Sequence, residues 1–161
     1  MADEEKVTVI DDAARSEEAE SLCKWAAGRA GAIVILPGLG TMSLVANDIY
    51  LVMKLGKVYE QPIGEKAAVS LLGSCGTVFL GGQLSTLIPF APLQIPVAIA
   101  TTYALGRVVT EWLKAGKPAD MSAFKKVYDD AVNDAKANMD KFKNHPDKDK
   151  PLGDESKKYD L

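Results

Sequence analysis

The chain has 161 residues, enough for one domain with its own core and short for two. Its net charge of -3 provides no basic face of the kind that displaces counterions from phosphates, which argues against nucleic acid as a partner. Two cysteines without metal-type spacing, and an acidic start with no basic stretch leading into an apolar run, point to a reduced environment and to no cleaved signal peptide.

Residues 1–12 are polar and aperiodic and are expected to form a flexible acidic arm; eight acids lie between Met1 and Glu20, against Lys6 and Arg15. From Ala13 the apolar spacing turns helical, through Leu22, Trp25, Ala26, Arg29, Ile33 and Leu36, until Pro37-Gly38 stops it. A second helix is predicted from about Thr41 to Tyr59, carrying Leu44, Val45, Asp48, Leu51, Val52 and Leu55, with Gln61-Pro62-Ile63-Gly64 ending it. The short connection makes the two antiparallel, a hairpin over 13–60. Across that turn Arg29 falls opposite Asp48, each flanked by apolar residues, so an interhelical ion pair is expected. Such a pair reads first as a lock on hairpin register, and second as an ion or proton path if it lies in lipid.

A third helix is predicted from Gly64 to Ile88 and a fourth from Ala91 or Pro96 to Ala115, closed by Gly116-Lys117-Pro118, so that 64–115 forms a second hairpin. Small residues recur at four-residue spacing, Gly73, Thr77 and Gly81 on the third helix and Ala98, Thr102 and Gly106 on the fourth. These two faces are expected to pack closely together. The turn between the helices, LIPFAPLQIP over 87–96, holds three prolines and almost no polarity, whereas connections ordinarily face water. Ile88, Pro89, Phe90, Pro92 and Leu93 are therefore candidates for contact with lipid or a partner. Pro37 with Pro89, and Cys23 with Cys75, share one offset, a faint sign of two related hairpins side by side.

A fifth helix is predicted from Asp120 to Phe142. Met121, Phe124, Tyr128, Ala131, Ala135 and Met139 form its apolar stripe, while Lys125, Lys126, Asp129, Asp130, Asn133, Asp134 and Lys136 face away. Residues 143–161, rich in lysine and acids with few large apolar groups, are expected to be a disordered tail. The fold class is thus all-α, with about five helices in one domain over 13–142.

No motif supports catalysis, and no catalytic, cofactor or metal site is expected. Gly38-Leu39-Gly40 follows a helix rather than a strand, and no P-loop string is present. The single histidine, His145, lies in the tail beside Pro146, and no Ser-His or Cys-His pair can be assembled.

The run Ala67 to Gly106 contains no Asp, Glu, Lys or Arg. A spanning helix needs roughly 20 apolar residues. The third helix has enough between Ala67 and Ile88, and the fourth reaches that length only by including Arg107 to Leu113. Lys54, Lys57 and Lys66 before the run, and Arg107, Lys114 and Lys117 after it, would hold both flanks and the termini in the cytoplasm. The hairpin therefore reads as a membrane-inserted or transmembrane element; the competing reading buries it at the centre of a soluble bundle.

Ile35-Leu-Pro-Gly-Leu-Gly40, LVMKLGKVYEQPI over 51–63, ATTYALG over 100–106 and WLKAG over 112–116 resemble the uncharacterised helical family that includes the inner-membrane protein YcjF. The match spans roughly 22–117. It implies a non-enzymatic, membrane-associated helical module working beside an Era-like GTPase, and it carries over no catalytic residues. Unlike the fused members of that family, this chain has no G domain of its own. The function expected is an anchor or adaptor with membrane lipid and a GTPase as partners. A soluble interaction module, its apolar face covered by a partner or a second copy, and a small channel or transport component are the alternatives.

Overall fold

A computed structural model describes residues 2–33, 40–80 and 91–144 of the protein; within these, the backbone alone is described for 2–11, 40–42, 76–80 and 91–94. Among the described residues the regular structure is entirely helical: α1 Ala2–Ile33, α2 Gly40–Val58, α3 Glu65–Leu80, α4 Ala91–Lys114, a 3-10 turn Met121–Phe124, α5 Lys125–Ala137 and α6 Met139–Lys143. This is the all-α architecture expected of the apolar spacing.

Helix α1 starts at Ala2, so the segment expected to be a flexible arm continues the helix instead. Ala, Glu and Lys are strong helix formers, and acids near a helix N-terminus complement its dipole. The first hairpin forms as expected. Arg15 reaches Glu60 at 2.9 Å, the Trp25 and Tyr50 rings lie 5.8 Å apart, and Asn47 Nδ2 donates to the Ala26 carbonyl at 3.0 Å. Contacts that climb α1 descend α2, so the two helices are antiparallel.

Helix α4 is the centre of the molecule. Ile99, Tyr103, Leu105, Val108, Val109 and Leu113 are buried along its length, and it packs against α1, α2 and α5. Each large apolar side chain buried there contributes about 1.5–3 kcal/mol, before the entropy of ordering it. Its approach to α1 depends on small residues. A methyl placed on Gly106 would lie 2.5 Å from Cys23 Sγ, and one on Gly31 would lie 2.8 Å from the Ile99 side chain. Ala19, Ala26, Ala27 and Ala30 complete the narrow face of α1. The helical backbone runs on through Pro96, although a proline inside a helix removes one ladder bond.

The expected second hairpin is not how the helices pack. Over the described residues α3 lies against α2, the 3-10 turn and α5, and does not pack along α4. The reason is area. Gly73 and Ser74 are exposed, and nothing stands within 4 Å of where a Gly73 methyl would be, so this face of α3 offers little to bury. An α4 that is apolar all round requires the longer faces of α1 and α5.

Two helix ends close by the same device. At α4, Gly116 has φ +84°, and the amides of Lys117 and Gly116 return to the carbonyls of Trp112 and Leu113. At α2, Glu60 takes the left-handed position with φ +54°, and Gln61 and Glu60 return to Gly56 and Lys57. Both are Schellman caps, which satisfy carbonyls the helix would leave unpaired.

The fifth helix is interrupted. Asp120 caps a 3-10 turn by accepting from the Ser122 amide at 2.9 Å, and Asn138 separates α5 from α6. The stripe nonetheless faces inward as expected, with Met121, Phe124, Tyr128, Ala131 and Ala135 buried and Met139 half-buried. The break re-aims the chain so that Phe142 packs on Tyr103, ring centroids 4.9 Å apart. The tail expected to be disordered lies, beyond Asn144, outside the described residues.

Candidate functional site

Helix directions sort the charges to one end. Thr102 of α4 meets Asp48 of α2, and further along Leu113 meets Gln61, so these two helices run parallel. Arg107 of α4 meets Glu20 of α1 and Ile99 meets Gly31, so those two run antiparallel. The C-terminus of α1 and the N-termini of α2 and α4 therefore gather at one end. The short turn after α2 reverses the chain and sends the C-terminus of α3 there too. The described stretches that lead to this end, 30–33, 40–47, 67–80 and 91–106, contain no Asp, Glu, Lys or Arg. Lys57, Lys66, Lys114 and Lys117 lie toward the other. No helix among the described residues is long and apolar enough to cross a membrane.

Just inside the charge-free end lies a polar cluster in which Asn47 and Thr102 are buried and Asp48 is half-buried. Thr102 Oγ1, 1% exposed, donates to Asp48 Oδ1 at 2.8 Å. Asn47 is fully buried; its Nδ2 serves the Ala26 carbonyl while its Oδ1 receives no hydrogen bond. Burial pushes the Asp48 carboxyl up to about 7, only partly offset by the hydrogen bonds from Thr102 and Asn47.

The expected ion pair is not the contact Asp48 makes. Its partner is Thr102, and Arg29 does not figure among the groups that set its titration. Arg29, 3% exposed, instead lies with its guanidinium 5.3 Å from the Trp25 ring centroid. A one-turn step along α1 suffices for this, and a planar cation over an indole face is well matched.

The second polar site was not foreseen. Glu20 of α1 accepts from Tyr103 Oη at 2.6 Å and from Arg107 at 2.8 Å, both on α4, and Tyr103 also reaches Asp134 of α5 at 3.2 Å. Burial would raise the Glu20 carboxyl, but these hydrogen bonds outweigh it and hold the group below its ordinary value. Burial pushes the Tyr103 hydroxyl up, and its bond to Glu20 adds to the shift. With Glu111, Val127, Asp130 and Ala131 these residues line an open groove of about 400 Å³. Its carboxylates already have partners, Asp130 on Lys126 and Asp134 on Asn138 as well as Tyr103. The tie spans 83 residues in sequence, beyond the reach of any spacing rule.

Of the small-residue faces, Thr102 and Gly106 do seat neighbouring helices, but these are α1 and α2 rather than α3. Ala98 is buried and Gly73 is exposed. Thr77 and Gly81 lie outside what is described of the side chains and the chain, respectively. Ile88, Pro89 and Phe90 also lie outside the described residues; Pro92 and Leu93 belong to the first turn of α4 by backbone alone. Cys23 and Cys75 are buried, and burial pushes each thiol up to about 12. Among the described residues no group of three or more His, Cys, Asp or Glu side chains could hold a metal ion. Comparison with protein-family models, with characterised proteins and with solved structures finds no match to the chain.

Proposed function

We propose that this chain is a non-catalytic helical adaptor that docks on a membrane surface by its charge-free end, without crossing, and presents its charged end to a soluble partner. The observation that carries this reading is the gathering of the ends of α1, α2, α3 and α4 at one pole of the bundle, the described stretches leading to it, 30–33, 40–47, 67–80 and 91–106, containing no Asp, Glu, Lys or Arg. An apolar pole on an otherwise charged molecule is the pattern of a protein that meets an interface. An Era-like GTPase as the soluble partner follows from the resemblance of the 35–40, 51–63, 100–106 and 112–116 segments alone, and fold-level likeness is a weaker warrant than a site. Fractionation of cells producing the full chain, with the membranes washed at neutral pH and moderate salt, tests the reading. Retention in the pellet supports it, and quantitative release contradicts it.

A second reading, a soluble helical interaction module, is favoured by one specific observation. Helix α4 is wrapped by α1, α2 and α5, so most of its apolar character is used inside the protein. The same fractionation separates the two.

A further inference from the structure

We propose that Asp48 and Thr102 form a proton-operated latch between α2 and α4: with its proton Asp48 holds the interface closed, and without it the interface loosens. The geometry is a shortage of donors. Thr102 Oγ1 gives its hydrogen to Asp48 Oδ1, and the Asn47 amide is shared between Asp48 and the Ala26 carbonyl, leaving Asn47 Oδ1 a buried acceptor with no donor. The hydrogen bonds to this half-buried carboxylate come from neutral groups alone, so nothing of opposite charge offsets it when it ionises. A proton on Asp48 removes that charge and adds the donor the cluster lacks.

The groups facing this point come from every neighbouring helix. Helix α4 brings Thr102, α3 brings Cys75, and α5 brings Tyr128, whose hydroxyl is pushed up by burial, held back by a hydrogen bond with Thr101, and raised further by Asp129, Cys75 and Asp48. Helix α1 carries Arg29, whose guanidinium lies 5.3 Å from the Trp25 ring centroid and which is not among the groups that shift Asp48. None of these supplies a positive charge that sets the titration of Asp48, consistent with its rise from the ordinary 3.8 to about 7. The direction of the linkage follows. A carboxyl raised in the folded state binds its proton more tightly folded than unfolded. The stabilisation is full below the ordinary value, fades as pH climbs from there toward about 7, and is gone above. The latch thus closes as pH falls across the neutral range. This inference concerns the bundle itself and stands independently of the membrane reading.

Amide hydrogen exchange on the full chain, corrected for intrinsic rates, tests it. Amides of α2 around Asp48 should exchange roughly tenfold or more faster at about pH 8 than at about pH 5.5, and Asp48→Asn should abolish that difference. Persistence of the same difference in Asp48→Asn overturns the latch. Carbon-13 titration of the Asp48 carboxyl in the unaltered chain is the second measurement and depends on no variant. A midpoint near 7 supports the latch, and a midpoint in the ordinary carboxylate range overturns it.

Discussion

Thr102 Oγ1 donates to Asp48 Oδ1 at 2.8 Å across the α2–α4 interface, and the carboxylate has no basic partner among the described residues. An acid held by neutral groups is costly when ionised, so its removal should stabilise the fold where the charge would otherwise be present. Asp48→Asn keeps an acceptor for Thr102 and removes the charge. Its gain in unfolding free energy is expected to be near zero at about pH 3, to grow as pH rises, and to level off above pH about 7. The plateau should be about 2 kcal/mol, with about 4 kcal/mol as the ceiling for a fully dry site. Denaturant unfolding across that pH range is the measurement.

The Glu20 tie has the opposite sign. Its folded pKa is lowered, so its contribution is present above the ordinary glutamate value of 4.5 and is lost as pH falls through the folded value. Glu20→Gln should destabilise by about 1 kcal/mol near neutral pH, a modest figure because Arg107 is 41% exposed and water screens the pair. In acid the variant and the unaltered chain should converge. Making the comparison in the Asp48→Asn background separates this titration from that of Asp48.

Gly106 sets how closely α1 and α4 can approach. Gly106→Ala puts a methyl 2.5 Å from Cys23 Sγ and 3.2 Å from Leu51 Cδ2, and overpacking of this kind costs about 1–3 kcal/mol. Cys23→Ala removes the sulfur it strikes. The double variant should therefore be less destabilised than the sum of the single changes, and a thermodynamic cycle measures that coupling.

Both thiols are buried and, at about 12, remain protonated at neutral pH. A thiol-specific chromogenic reagent should label neither in the native protein and both after unfolding, because the thiolate is the nucleophile. Absorbance with and without denaturant gives the two counts.

Much of this architecture is written in local spacing. The stripe of Met121, Phe124, Tyr128 and Ala135 faces the core as its period requires, and the short interval between Ile33 and Gly40 goes with antiparallel α1 and α2. What local spacing cannot carry is partnership over distance. Small residues on both helices point equally well to α3 against α4 or to α1 against α4, and the choice turns on which face has enough apolar area to cover its neighbour. The tie from Glu20 to Tyr103 leaves no mark near either residue. Asp48 is legible as a charge turned inward, but its partner depends on the axial shift between α2 and α4, which the α1–α2 turn does not determine. Arg29 is likewise legible as buried, and its place over Trp25, one turn away on the same helix, satisfies the cation–π geometry that an ion-pair rule overlooks.

The central claim is that the charge-free end meets lipid, and vesicle flotation of the purified chain tests it most directly. The unaltered protein should float with vesicles of mixed neutral and anionic phospholipid. Phe90→Lys, shown by thermal unfolding to keep its fold, should remain largely at the bottom of the gradient, because a charge in the apolar turn opposes insertion. An unaltered chain that stays at the bottom, or a Phe90→Lys variant that floats equally well, would contradict the account.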